Sequence, residues 1–257
     1  MRTVKSLGYF FGLPVLLVII WWFATLGPSN FFVPKPGQLV ETFIQTWIGP
    51  RFLTDVVPSI LRLLAGLILA IVMGILGGMV IGSIRWLRQF LEPLLEFLRA
   101  IPPTILVPVL LLLIGINNEM KIAVIASGCV WPVLINTIEG VRAVDPVLSD
   151  TSRIYRISGF ARIRHLVLRS ASPQMMAGIR QSLSIGLILM VISEMFAASE
   201  GLGFAIVQFQ RIYAIPEMWS GIALLGILGV ALSFIFQQVQ RRVLSWYNGQ
   251  KEAQDAR

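Results

Sequence analysis

The chain has 257 residues, of which 56% are apolar and only 13% charged. An ordinary soluble domain carries about 25% charged residues, and so thin a polar complement cannot cover a water-soluble globule of this length. The net charge of +8 comes from 21 Lys+Arg against 13 Asp+Glu. Those cations punctuate long apolar runs, which excludes the basic stripe of a nucleic-acid binder and points to a membrane.

A helix needs about 20 apolar residues to cross a bilayer. Leu7–Leu26, Leu63–Ile84, Ala100–Asn118, Ile122–Ile138 and Met218–Gln240 are uncharged runs of about that length. Leu183–Ala198 adds a sixth run interrupted only by Glu194. The pattern predicts an all-α polytopic membrane protein with six transmembrane helices in one domain spanning residues 1–257. Arg2 and Lys5 resemble the basic region of a signal peptide, but the run behind them exceeds the usual apolar core and no small-x-small cleavage site follows, so an uncleaved first span is expected.

Six spans place both termini on one side. With the termini in the cytoplasm, 16 of the 21 cations fall inside, from Arg2 to Arg257. Lys35, Arg51, Arg62, Lys121 and Arg211 fall outside, so the positive-inside rule supports this orientation. The first outer loop, 27–57, contains Pro28, Pro34, Pro36 and Pro50 and leaves room for a short surface helix over 39–48. Gly201 and Gly203 suit a tight re-entrant turn after the fifth span.

The segment 142–174 carries six arginines: Arg142, Arg153, Arg156, Arg162, Arg164 and Arg169. Asp145-Pro146 is a helix start, with Asp as cap and Pro at the first position. Ile154, Ile157, Phe160, Ile163 and Val167 recur every three or four residues and predict one apolar helical face, with Gly159 as a possible break. That face must be buried on lipid headgroups, on the chain's own bundle or on a soluble partner.

Chemistry is sparse. One cysteine, Cys129, excludes an internal disulfide. With one histidine as well, no protein zinc site is expected. No nucleotide-binding G-x-x-x-x-G-K-[ST] occurs, and no nucleophile–base set converges, so neither a catalytic site nor a cofactor is predicted. Gly74, Gly77, Gly78 and Gly82 read as a helix-packing face. Glu96 and Arg99, one helical turn apart before Ile101-Pro102-Pro103, are either a local ion pair or a cytoplasmic gate. Asn136 ends the fourth span. Ser182 and Ser193 stand close to three turns apart and so share a face of the fifth span, with Glu194 nearby. This stripe either lines a route or ties helices together, and Glu194 is the strongest lining candidate because a lone carboxylate there needs a reason.

These residues together resemble a known family. Phe32-Val33-Pro34-Lys35-Pro36, Pro58-Ser59-Ile60-Leu61-Arg62 through Gly66, Leu91-Glu92-Pro93 through Ile101-Pro102-Pro103 to Pro108, Trp131-Pro132 through Asn136-Thr137, Glu194 and Gly201-Leu202-Gly203 run nearly the length of the chain. The chain resembles the permease subunits of type I ABC importers, in the nitrate/sulfonate/taurine branch of the binding-protein-dependent permeases. The resemblance makes 142–174 a cytoplasmic coupling loop, usually written Glu-Ala-Ala, three residues, Gly. Aligned from Pro173, that motif falls on Asp150-Thr151-Ser152 and Arg156, so the acid is kept while both alanines and the glycine are not. Asp150, Arg153, Arg156, Gly159, Phe160 and Pro173 are then the ATPase-coupling residues. Glu96, Arg99, Asn136, Ser182, Ser193 and Glu194 are the pathway or gate candidates.

The resemblance further implies alternating access, with two permease chains (a homodimer is expected), separate cytoplasmic ATP-binding subunits, an external solute-binding protein and a small anion such as a sulfonate, taurine or nitrate. Localisation would be the bacterial cytoplasmic (inner) membrane, with both termini cytoplasmic and no nucleic-acid partner. The alternative is a stand-alone secondary carrier or channel, which would show inverted repeats. None is visible in the sequence.

Overall fold

The structure is a computed structural model that describes residues 2–27, 31–196, 198–247 and 249, with side chains from Gly12 onward. Pro28, the side chains of Arg2 and Lys5, and the polar tail beyond Gly249 lie outside the described residues. In chain order the helices are α1 (Arg2–Ala24), α2 (Pro36–Trp47), α3 (Val57–Ser83), α4 (Arg85–Ala100), α5 (Leu106–Ile114), α6 (Asn118–Arg142), α7 (Pro146–Ile154), α8 (Gly159–Arg162), α9 (Leu168–Phe196), α10 (Leu202–Arg211) and α11 (Ile215–Val243). One π-helical turn leads into α3 and another into α9. Among the described residues there is no strand.

Among the described residues, four continuous helical segments are long and apolar enough to cross a membrane: Phe52–Ser83, Asn118–Arg142, Gly159–Phe196 and Ile215–Val243. A fifth is a broken pair, Arg85–Ala100 with Pro103–Ile114, bent by 70°. The expected third span, Ala100–Asn118, is therefore not one straight helix. Pro102 and Pro103 lack amide hydrogens, and the residue before each is forced out of the helical region (Ile101 has ψ 118°, Pro102 ψ 123°). The α-helix resumes only at Leu106 and gives way at Gly115, whose φ is +90°. A helix of that length rises about 14 Å, roughly half of the hydrocarbon thickness. The first expected span, Leu7–Leu26, overlaps α1, whose apolar stretch among the described side chains, Gly12–Ala24, is shorter than a membrane span.

The chain forms two compact units. The first comprises Met1–Pro58 and Ser199–Ile227. Its centre is Trp47, which is buried, donates its indole N–H to Ser220 Oγ at 2.9 Å and meets the Phe209 ring edge-on at 6.2 Å. The lack of a side chain at Gly221 admits Ile206, since a Cβ there would stand 2.7 Å from Ile206 Cγ1. Gly201, at φ +116°, turns the chain into α10 and donates its N–H to Asp55 at 3.1 Å. The expected tight turn is thus a glycine-started helix. The surface helix expected over 39–48 is α2, which begins at Pro36 and buries Trp47.

The second unit comprises Ser59–Ala198 and Leu228–Arg257. Here α3 lays its glycines on α6. A Cβ at Gly66, Gly74, Gly78 or Gly82 would come within 2.6, 2.7, 2.5 and 2.9 Å of Ile125, Val133, Thr137 and Val141. The expected small-residue packing face is present, and it extends back to Gly66. α6 and α9 pack as closely. Gly178 admits the Pro132 carbonyl oxygen, which a Cβ would meet at 2.6 Å, and Ser182 Oγ donates to the Cys129 carbonyl at 2.6 Å.

The apolar face expected along 154–167 is not continuous. α7 ends at Ile154, and Arg156 and Gly159 both take positive φ (53° and 56°), so the chain turns twice before α8. Val167 is buried in a cluster with Val141, Ala171 and Met175, whereas Ile154 and Phe160 remain 79% and 74% exposed.

Candidate functional site: a buried ion pair, a polar cavity and an arginine-rich segment

Three polar features stand out in the second unit. The first is an ion pair wholly inside the helices. Glu194 on α9 has no exposed surface and receives Arg62 Nη1 at 2.8 Å. Ser59 Oγ lies 2.8 Å from both carboxylate oxygens, and Arg62 Nε donates to Asn118 Oδ1 at 2.7 Å. Three helices are thereby tied at one point. An unpaired charge inside a membrane protein is costly, and pairing it removes most of that cost. Glu194, expected as a lining residue, is buried in this ion pair and is not among the lining residues of the two cavities described next. Arg62, which the charge count placed among the outer cations, is the missing partner, and Lys121 is buried too. The sequence contained a hint, because a lone carboxylate in an apolar run demands a cation. It did not say where in the chain that cation would stand.

Ser182 and Ser193 depart from the lining expectation in the same way. Both are fully buried, Ser182 bonded to the Cys129 carbonyl and Ser193 to the Met190 carbonyl at 2.9 Å. Their hydroxyls tie backbone and face no open space.

The second feature is a pair of neighbouring cavities. The larger, of about 430 Å³, is lined by Arg99, Trp131, Asn136, Gln181 and Ile185, with Pro103 and Pro132 as part of its wall. The smaller is bordered by Arg88, Glu92, Glu96, Glu139 and Arg142. Arg99 and Ile135 belong to both. Arg99 donates from Nε to Glu96 Oε2 at 2.8 Å, with a second contact from Nη2. Asn136 Nδ2 donates to the Pro132 carbonyl at 2.8 Å and to Gln181 Oε1 at 3.5 Å. Of the six pathway candidates, then, the structure gathers Glu96, Arg99 and Asn136 around adjoining cavities and sets Ser182, Ser193 and Glu194 apart. Trp131 and Gln181 are lining residues that the candidate set lacked. Gln181 belongs to the polar stripe of the fifth span that the sequence offered as a route; its meeting with Trp131 came only from the fold, because the two lie on different helices, far apart in sequence, and meet where α6 and α9 pack.

The third feature is the 142–174 segment. Asp145 caps α7, accepting from Val147 N–H at 2.7 Å, with Pro146 at the first helical position. Asp150 pairs with Arg153 at 3.4 Å, both side chains largely exposed. Arg162 reaches from α8 to Ser149 Oγ on α7 at 3.0 Å and braces the two short helices. Pro173 sits inside α9. Arg156 occupies the motif's glycine position and adopts the left-handed conformation for which glycine is suited.

Long apolar helices with a buried ion pair among them mark a polytopic helical membrane protein. Residues 66–247 match the family of binding-protein-dependent transport system inner membrane components, and the chain belongs to that family. It is an ABC importer permease subunit of the inner membrane. It is 29% identical over 248 residues to the putative aliphatic sulfonates transport permease protein SsuC of Bacillus subtilis, covering 95% of this chain and 90% of that one. It is 29% identical to the taurine transport system permease protein TauC of Escherichia coli (91% and 88% covered). Against the bicarbonate transport system permease protein CmpB of Synechococcus elongatus it is 30% identical (73% and 68%). Its fold is similar to a chain of the MetNI methionine ABC transporter in its inward-facing conformations, with TM-score 0.63 and 20% identity, covering 74% of this chain and 94% of that one.

Proposed function

We propose that two copies of this chain form the membrane pathway of an ATP-driven importer for a small anion, the two compact units of each copy acting as one permease domain. Both termini lie in the cytoplasm. Burial of Arg62 and Lys121 strengthens that orientation, because it leaves only Lys35, Arg51 and Arg211 as outer cations outside the core, against 16 on the inner side. An external binding protein delivers the solute, and separate cytoplasmic ATPases drive the cycle. The anion reading draws on relatives named for sulfonates, taurine and bicarbonate.

The observation that carries the coupling role is the exposed apolar surface on an arginine-rich segment. Ile154, Tyr155 and Phe160 project from α7, the turn and α8 with most of their surface open, beside Arg153, Arg156 and Arg162. Apolar anchors ringed by guanidinium groups are the composition of a protein interface. Residues 142–174 are the coupling loop, with Asp150, Arg153, Arg156, Gly159, Phe160 and Pro173 shaping or contacting the ATPase groove. Because 163–167 runs directly into α9, a push on α8 is delivered to a membrane helix without an intervening hinge.

The test is purification of the tagged chain in mild detergent. A stoichiometric soluble protein bearing a nucleotide-binding P-loop is expected to accompany it. Arg153→Glu combined with Phe160→Asp is expected to abolish solute uptake driven by ATP while leaving the permease folded. A chain that purifies alone and still moves solute in liposomes would replace this reading with a carrier, and intact uptake in the double variant would remove the coupling role from 142–174.

A further inference from the structure

We infer that the cavity between α4, α6 and α9 is a binding station for a small organic anion, and that Arg99 is its anion hook, held by Glu96 when the station is empty. The inference deepens the importer reading and rests on it for the identity of the pathway. It does not rest on it for the binding chemistry.

The cavity measures about 430 Å³, within the range of about 300–1,000 Å³ typical of small-molecule sites. Its only charged lining residue among those described is Arg99. No carboxylate is among its lining residues as described; Glu96 borders the adjoining cavity and reaches this one through its pairing with Arg99. Two carboxamides, Asn136 and Gln181, line the same cavity as Arg99. They are linked to each other at 3.5 Å through Asn136 Nδ2 and Gln181 Oε1, which leaves the Gln181 N–H₂ group without a hydrogen bond among the described residues. A guanidinium fork with a spare amide donor is suited to an oxyanion such as a sulfonate or carboxylate. The remaining wall is Trp131, Ile135 and Ile185 with proline rings. That surface has nothing to offer a bare nitrate or bicarbonate ion, but it accommodates an alkyl body. The cavity therefore selects an organic anion with a charged head and an apolar tail.

Glu96 supplies the release mechanism. Its pairing with Arg99 leaves the two side chains 57% and 47% exposed. Half-exposed ion pairs are weak, so an incoming oxyanion can take over the guanidinium at small cost. The displaced Glu96 then remains close enough to reclaim Arg99 when the solute leaves. Arg99 belongs to both cavities and is the one side chain placed for this exchange.

The test uses the permease with its co-purifying subunits in lipid nanodiscs, without binding protein. Calorimetric titration is run with butanesulfonate, butanoate, nitrate and the neutral isostere butanesulfonamide, and ATP hydrolysis is assayed in the same preparation. Butanesulfonate is expected to bind, with nitrate and the sulfonamide weaker by roughly tenfold or more. Butanoate distinguishes a sulfonate preference from a general oxyanion preference. Arg99→Gln is expected to weaken butanesulfonate by roughly tenfold or more, and Glu96→Gln to tighten it several-fold by removing the competitor. Equal binding of sulfonate and sulfonamide, no binding in a preparation that hydrolyses ATP, or both variants shifting affinity in the same direction would each overturn the station. A preparation without an ATPase would overturn the importer reading instead, and the opposite shifts of the two variants would still decide the cavity.

Discussion

Single residues carry two distinct kinds of cost in this protein. Arg156 holds a left-handed backbone at φ 53°, a conformation that strains any residue with a Cβ. Replacing it with glycine removes the strain but loosens the unfolded chain, so the expected net gain is small, about 0.5–1 kcal/mol. The check is an upward shift of the thermal midpoint of the detergent-solubilised protein, with Arg156→Ala giving none. Glu194 shows the opposite case. Glu194→Ala removes the carboxylate that Arg62 Nη1 meets inside the helices, an expected loss of about 3–5 kcal/mol. Replacing both partners, Arg62→Met with Glu194→Leu, is expected to recover most of that loss, since the penalty lies in the stranded charge. Recovery in a thermal-unfolding cycle distinguishes a fastener from a group needed for its charge. The pair also shows where reading the sequence stopped. An isolated acid at 194 signals that a partner exists, but spacing carries no information about a partner 132 residues away.

Helices show where local pattern sufficed and where it did not. The glycine face of α3 was legible because small residues at every fourth or eighth position mark a close helix contact. Gly78 is its tightest point, with Thr137 Cβ 2.5 Å from where its own Cβ would stand. Gly78→Leu is expected to separate α3 from α6 and abolish monodisperse elution on size-exclusion chromatography. Gly226→Ala, whose added Cβ meets nothing within 4 Å, is expected to elute unchanged. The break at Pro102-Pro103 was legible for the same reason, since missing amide hydrogens are a property of the residue. Its consequence was not legible. The apolar run Ala100–Asn118 counts as a span by composition, and only the fold turns it into a short helix, Leu106–Ile114, joined at 70° to an amphipathic one. Likewise the 154–167 periodicity was real, but positive φ at Arg156 and Gly159 splits its side chains between an exposed surface and the bundle core.

At the scale of the whole molecule, the importer reading joins a coupling segment to a solute station through one helix. α9 begins where the π turn behind α8 ends, and it carries Gln181 at the cavity wall. On that reading, displacing α8 is expected to shift Gln181 relative to Asn136 on α6. This predicts that the Arg153→Glu, Phe160→Asp variant loses uptake without losing butanesulfonate binding, because the station is intact when its lever is disconnected. The sequence by itself determined the helical membrane class, the family and the arginine-rich loop. These follow from composition, from periodicity within a turn or two, and from motifs read along the chain. Only the tertiary structure decided which polar residues face space and which face each other. That choice moved Glu194, Ser182 and Ser193 into the packed interior and brought Arg99, Asn136 and Gln181 to one cavity. The physical reason is that burial and pairing depend on how distant helices dock, and docking is fixed by shape at contacts such as Gly78 on Thr137 and Gly178 on Pro132.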